Sequence, residues 1–191
     1  MLEIPRSLKS FINTINGESG IRYMVRGLID GSLSALGVVI GASGAADASV
    51  IIAAGLGGGI ANGLSNILGA FTAEKASLER ERIQKEKSLL KKNGYLKKSI
   101  IYKKAIRETM ICGLIDGIST ALGSALPVIP FFFFNISTAL YVAIAITIVE
   151  LFTLGVFIGK ISKENVVVSG IKMVVGALIV SVLCFMIERV F

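Results

Sequence analysis

The chain has 191 residues, of which 53% are hydrophobic and 17% charged, and its mean hydropathy is +0.77. That balance excludes an ordinary soluble domain of this length. The absence of His removes the commonest transition-metal ligand and the usual general base, and the net charge of +7 sits beside apolar runs, where it sets topology rather than binding nucleic acid.

Residues 1–21 lack the order of a cleavable signal peptide. Leu8, Phe11, Ile12 and Ile15 instead recur at helical spacing among polar residues, which predicts a short interfacial helix. A helix rises ~1.5 Å per residue, so crossing the hydrocarbon takes about 20 residues. The runs 24–45, 49–71, 107–128, 131–158 and 166–187 meet that length. Gly41-Ala42-Ser43-Gly44 makes a tight turn after the first, and Pro127 and Pro130 mark the turn between the third and fourth. Cys112 and Cys184 both lie in apolar runs, which argues against a disulfide framework.

Residues 72–106 change character. Ala73 to Lys92 is rich in Glu, Lys, Arg and Leu, with Gly94 as a break, and predicts one charged helix followed by a short basic return to the membrane. The domains are therefore 1–71, with the interfacial helix and two spans; 72–106, charged and cytoplasmic; and 107–191, with three spans. Basic residues gather before the first span, within 72–106, and at Lys160 and Lys163, so the positive-inside rule puts those loops in the cytoplasm. The N-terminus is then cytoplasmic and the C-terminus outside. A prokaryotic cell membrane suits a short basic chain of this kind. The fold class is an all-α integral membrane protein with five spans.

Gly27-Leu28-Ile29-Asp30-Gly31 recurs as Gly113-Leu114-Ile115-Asp116-Gly117, 86 positions later, and each copy is followed after three variable residues by Ala-Leu-Gly. Both copies enter the membrane from the same side, so this is a parallel internal repeat. An intramembrane carboxylate costs a few kcal/mol or more and is functional by default. Asp30 and Asp116 are therefore candidates to coordinate a cation, exchange it for protons, or both. The structural alternative is that Arg26, four residues before Asp30, neutralises it. Asp116 has Cys112 at that position and no such partner.

In the second span, Gly55-x-x-x-Gly59 and Gly59-x-x-x-Gly63 form a close-packing stripe, for helix packing or for a dimer surface. Asn62 and Asn66 share one face at i,i+4 spacing, and their amide oxygens are hard ligands. Glu150 is a candidate for a proton path or for an ion pair with Lys172. Glu74, Glu79, Glu81 and Glu86 on the charged helix are candidates to collect a cation, although basic neighbours argue for a solvated, salt-bridged helix. Phosphate-binding loops, metal-type Cys pairs and nucleophile–base sets are absent from the sequence, so no enzyme is expected. No bound cofactor is expected either; the divalent cation is cargo. The alternative function is a non-transporting scaffold whose charged helix binds a partner or anionic lipid.

The stretch Arg22…Gly27-Leu28-Ile29-Asp30-Gly31…Gly41-Ala42-Ser43-Gly44-Ala45 resembles the first span of the vacuolar iron transporter family. Ile60-Ala61-Asn62-Gly63-Leu64 resembles its second span, Ala121-Leu122-Gly123-Ser124…Pro127…Pro130-Phe131 its third turn, and Leu154-Gly155…Gly159-Lys160 the exit of its fourth. The resemblance implies a homodimer that moves ferrous iron, and often manganese, out of the cytoplasm in exchange for protons. It puts Asp30 on the family's metal and proton residue, and Asn62 where the family has a metal-binding Met. Ala54 stands where a second-span Glu is often found. Asp116 is not typical of the family and is a candidate to compensate. The four glutamates fall in the region of the family's cytoplasmic metal-binding helices, whose distal helix is missing or truncated here. An amide in place of a thioether hardens the site toward Mn(II), Mg(II) or Ca(II), with Fe(II) still accommodated.

Overall fold

The computed structural model describes residues 17–44 and 47–190, and the expected interfacial helix lies outside them apart from its last residues. The described residues form α1 (Glu18–Gly41), α2 (Ala48–Ser88), α3 (Ile100–Val128), α4 (Ile136–Ile161) and α5 (Val166–Glu188), with 3-10 turns at Tyr95–Lys98 and Ile129–Phe132. All five helices are long and apolar enough to cross a membrane. The protein is thus an all-α, multi-pass membrane protein.

Four helices start on a side-chain cap that satisfies an otherwise orphaned N–H. Asp47 accepts from the Ser49 amide, Ser99 from Tyr102, Asn135 from Thr138, and Asn165 from both Val167 and Val168. The helix does not break at the expected boundary at residue 72. Span two and the charged stretch are one helix of 41 residues, about 60 Å long at the standard rise. Ala, Glu, Lys, Arg and Leu are all good helix formers, so a change from apolar to charged gives the backbone no reason to stop. The helix ends at Ser88, ahead of Gly94; Leu90 turns to φ 53° and Gly94 to φ 91° before the chain returns. Likewise α3 begins at Ile100 rather than 107, and Pro127 sits inside its last turn instead of in the connection.

α3 is the central helix. Of its apolar window 61% is buried, against 44% for α1, 22% for α2, 28% for α4 and 22% for α5. It packs chiefly on α1 and α2, while α4 and α5 pair with each other and reach the rest mainly through α1. The glycines explain the first two contacts. A Cβ on Gly27 would strike the Asp116 carbonyl and one on Gly31 the Thr120 carbonyl, so contacts ascend together along α1 and α3. The two repeat copies therefore run parallel. A Cβ on Gly63 would lie 2.6 Å from the Gly117 carbonyl, so the stripe Gly55, Gly59, Gly63 is spent on α3 within the chain.

The apolar core gathers Leu36, Val39 and Ile40 of α1 with Ile51, Val128, Phe131, Ala139, Leu140 and Ala143, toward the Gly41 end of the bundle. The repeated aspartates lie at the other end of that apolar plug.

Candidate functional site

Asp30 is exposed on the bundle surface and is held by α2. Its Oδ2 accepts from Asn62 Nδ2 at 2.9 Å and from Asn66 Nδ2 at 2.7 Å. The second hydrogen of each amide has its own acceptor: Ser34 Oγ lies 3.0 Å from Asn62 and Thr120 Oγ1 lies 2.9 Å from Asn66. Thr120 in turn donates to the Asp116 carbonyl at 2.9 Å. The i,i+4 spacing of the asparagines on α2 is what lets both reach one carboxylate. Asp30 Oδ1 and both amide oxygens keep free lone pairs among the described residues. That is an oxygen-rich cluster of one charge and two carbonyl dipoles, suited to a hard cation.

Asp116 has the opposite surroundings. It is fully buried, and Arg26 crosses from α1 to hold it, Nε to Oδ1 at 3.2 Å and Nη2 to Oδ2. The Arg26 guanidinium also stacks 4.8 Å over the Tyr23 ring, whose hydroxyl donates to Glu74 Oε1 at 2.5 Å. The structural alternative that Arg26 neutralises Asp30 is thus overturned, as is the expectation that Asp116 lacks such a partner. A carboxylate removed from water pays a far larger desolvation cost than an exposed one, so the single nearby guanidinium goes to the buried group. The close approach of α1 and α3 at Gly27 brings Asp116 within its reach.

The profile of the VIT family matches this chain over residues 21–103 and again over 95–189, one copy of the repeat in each stretch. The chain belongs to the VIT family. Its members are membrane metal-ion transporters. The chain is also 88% identical over all 191 residues, 100% of both sequences, to the uncharacterized protein MJ0645 of Methanocaldococcus jannaschii.

Within this VIT-family chain the other predicted site residues are dispersed. Glu74 is bound to Tyr23, and Glu81 pairs with Lys85 at 3.3 Å. Glu79 and Glu86 grip the buried Arg82 from either side, at 2.7 and 2.6 Å. Glu86 also accepts from the Gly94 and Leu96 amides at 2.9 and 2.7 Å, so it closes the return of the hairpin. Burial pushes its carboxyl up, but those two amides and Arg82 outweigh it and leave it below its ordinary value. The Tyr102 hydroxyl, then Arg82, hold Glu79 at about 2, and Tyr102 is raised in return. Among the described residues no three His, Cys, Asp or Glu side chains are placed to share one ion.

Glu150 does not meet Lys172. It turns to α1, where Ser32 Oγ lies 2.8 Å from its Oε1, while Lys172 is exposed and joins no ion pair among the described residues. Lys172 lies near the start of α5, where a long aliphatic stem reaches the interface without a partner. Residues that sequence reasoning passed over are Ser32, Ser34 and Thr120. Ser34 and Thr120 occupy the same frame position, four after each aspartate. That shared hydroxyl was a signal hidden among three residues that looked variable.

Proposed function

We propose that the chain exports a divalent cation of the Fe(II)/Mn(II) class from the cytoplasm in exchange for protons, through a site built on Asp30, Asn62 and Asn66. The observation that carries this is the contrast in counter-charge: Asp116 has its cation within the fold, and Asp30 has only amide dipoles. An ionised carboxylate at membrane depth needs a cation, water or a partner surface. A homodimer fits that need, because Gly58 and Ser65, which neighbour Asn62 on the α2 face that meets Asp30, are themselves exposed. A second copy covering that face would double the oxygen ligands around one path. The twelve basic residues from Lys75 to Arg107 support a cytoplasmic hairpin, an inside N-terminus and an outside C-terminus.

The asparagines also suggest how the empty site is kept intact. Their N–H groups stand where a cation would stand, solvating Asp30. Rotating each amide would present Oδ1 instead, turning two donors into two ligands without moving the backbone.

Uptake of Mn(II) into proteoliposomes under an imposed pH gradient tests the reading. Asp30→Asn, folded and inserted normally, is expected to abolish gradient-driven uptake. Wild-type rates in that variant would sink it.

A further inference from the structure

Ser32 and Asp30 are two positions apart, so they face opposite sides of α1. Asp30 faces α2; Ser32 is fully buried and faces α4. One hydroxyl hydrogen there has three oxygens in range: the Leu28 carbonyl at 2.8 Å, the Gly123 carbonyl at 3.2 Å and Glu150 Oε1 at 2.8 Å. Glu150 Oε2 is buried with no hydrogen-bond partner among the described residues.

These contacts suit a neutral carboxyl better than a carboxylate. An ionised Glu150 would take the only Ser32 hydrogen and still keep one bare charged oxygen inside the bundle, which is among the costliest arrangements a fold can hold. A protonated Glu150 donates its own O–H to Ser32 Oγ, and Ser32 then donates to Leu28 or Gly123. The remaining Oε2 is an ordinary carbonyl oxygen with a much smaller need for a donor.

Among the described residues, no ionisable side chain on the packed elements supplies a counter-charge. On α1, Tyr23 is bound to Glu74, Arg26 to Asp116, and Asp30 to the two asparagines. On α3, Asp116 is taken by Arg26 and the Cys112 thiol is buried. On α5, Lys172 is exposed, Cys184 packs toward Gly37, and Glu188 lies near Gly44. On α4 itself, Tyr141 and Lys160 are exposed near its two ends.

We propose that Glu150 is a proton-binding site inside the membrane, held by Ser32 and separate from the cation site, with α1 as the shared element between them. Only an O–H bond is made and broken: a proton from water binds a carboxyl oxygen and is later released to water. Loss of that proton strands a charge next to Ser32 and favours a shift of α1, which moves Asp30 against Asn62 and Asn66. The proton site stands on its own geometry, whereas its coupling to a cation rests on the transport reading above.

Two readouts on the full chain in lipid test this. Infrared difference spectra between acid and alkaline buffer should contain a protonated-carboxyl band that Glu150→Gln loses, Asp30→Asn keeps, and Ser32→Ala shifts in frequency. A wild type with no such band, or a band that survives in Glu150→Gln, overturns the proton site. Glu150→Gln keeps the volume and the neutral hydrogen bond, so it should fold, and Ser32→Ala reports independently if it does not. In proteoliposomes, Glu150→Gln should keep stabilisation by Mn(II) yet lose the dependence of Mn(II) uptake on the pH gradient. Gradient dependence equal to wild type overturns the coupling. Absence of Mn(II) flux in the wild type counts against the transport reading, and the infrared result still decides the proton site.

Discussion

Asp30 and Asp116 sit in the same five-residue frame, on parallel helices, yet the fold treats them as different chemical objects. Asp116 is sealed and carries a guanidinium. Asp30 is at the surface and carries two amide donors with oxygens to spare. The asymmetry traces to one frame position, Arg26 in the first copy and Cys112 in the second. The cation contributed by the first copy neutralises the carboxylate of the second and leaves its own carboxylate open. In a repeat protein, what crosses between the copies decides a residue's role, and the motif alone does not.

The largest test removes that cation. Arg26→Gln leaves Asp116 buried without a counter-charge and should cost about 3–5 kcal/mol of stability, the usual penalty for breaking a buried pair from one side. Asp116→Asn should cost much less, because the Arg26 side chain is 56% exposed and can reach water while Asp116 is 0% exposed and cannot. The double variant should recover most of the loss. Unfolding in detergent titrations of the four proteins gives the cycle directly. Equal costs for the two single variants would mean that Asp116 is better solvated than its burial implies.

Next comes the contact that brings the copies together. Gly31→Ala drives a methyl into the Thr120 backbone carbonyl, which cannot rotate away, and should cost about 1–3 kcal/mol. Gly57→Ala on the exposed α2 face meets nothing within 4 Å and should be neutral or slightly stabilising. Thermal melts of the pair separate a packing glycine from a spare one. If Gly57→Ala instead breaks a dimer, measured by sedimentation, that face is an interface between copies.

Much of this was legible in the sequence, for physical reasons. Spans are set by length and apolarity, which are local properties, so all five were found. The shared face of Asn62 and Asn66 follows from the helical period, but their common partner on α1 does not. The partner of Arg26 was not legible. The i,i+4 rule ranks only neighbours on one helix, while the register of α1 on α3 depends on backbone approach at Gly27 and Gly31. The Glu150–Lys172 pairing failed for the same reason: the Ser32 contact that Glu150 makes instead spans 118 residues and has no periodic signature. The charged stretch continues span two as one helix because composition changes at residue 72 but helix propensity does not.

A smaller effect should attend Asn66→Ala. An interhelical hydrogen bond in a membrane is worth about 0.6 kcal/mol on average, so stability should barely move. Mn(II)-dependent stabilisation should fall much further if the amide is a ligand, and by no more than the stability itself if it is only a strut.

The mildest response expected is in the charged hairpin after span two, where carboxylates resemble Asp116 rather than Asp30. Glu79 is satisfied by Tyr102, Arg82 and, at 3.7 Å, Lys97, and its carboxyl is held at about 2 against an ordinary 4.5. A lowered acid contributes stability that is complete above its unfolded value and fades as pH falls from about 4.5 toward about 2. The raised Tyr102 works the other way, its contribution present below its ordinary 10.0 and lost as it is forced to ionise. Amide protection factors across residues 79–102, which divide out the intrinsic pH dependence of exchange, should therefore be flat through neutral pH and fall at both extremes, with Glu79→Gln removing most of the acid limb. Because these carboxylates already have their partners, Mn(II) at neutral pH should leave that exchange unchanged. Protection that increases with Mn(II) there would mean that the metal competes successfully with Arg82, and that the hairpin glutamates belong to the ion path after all.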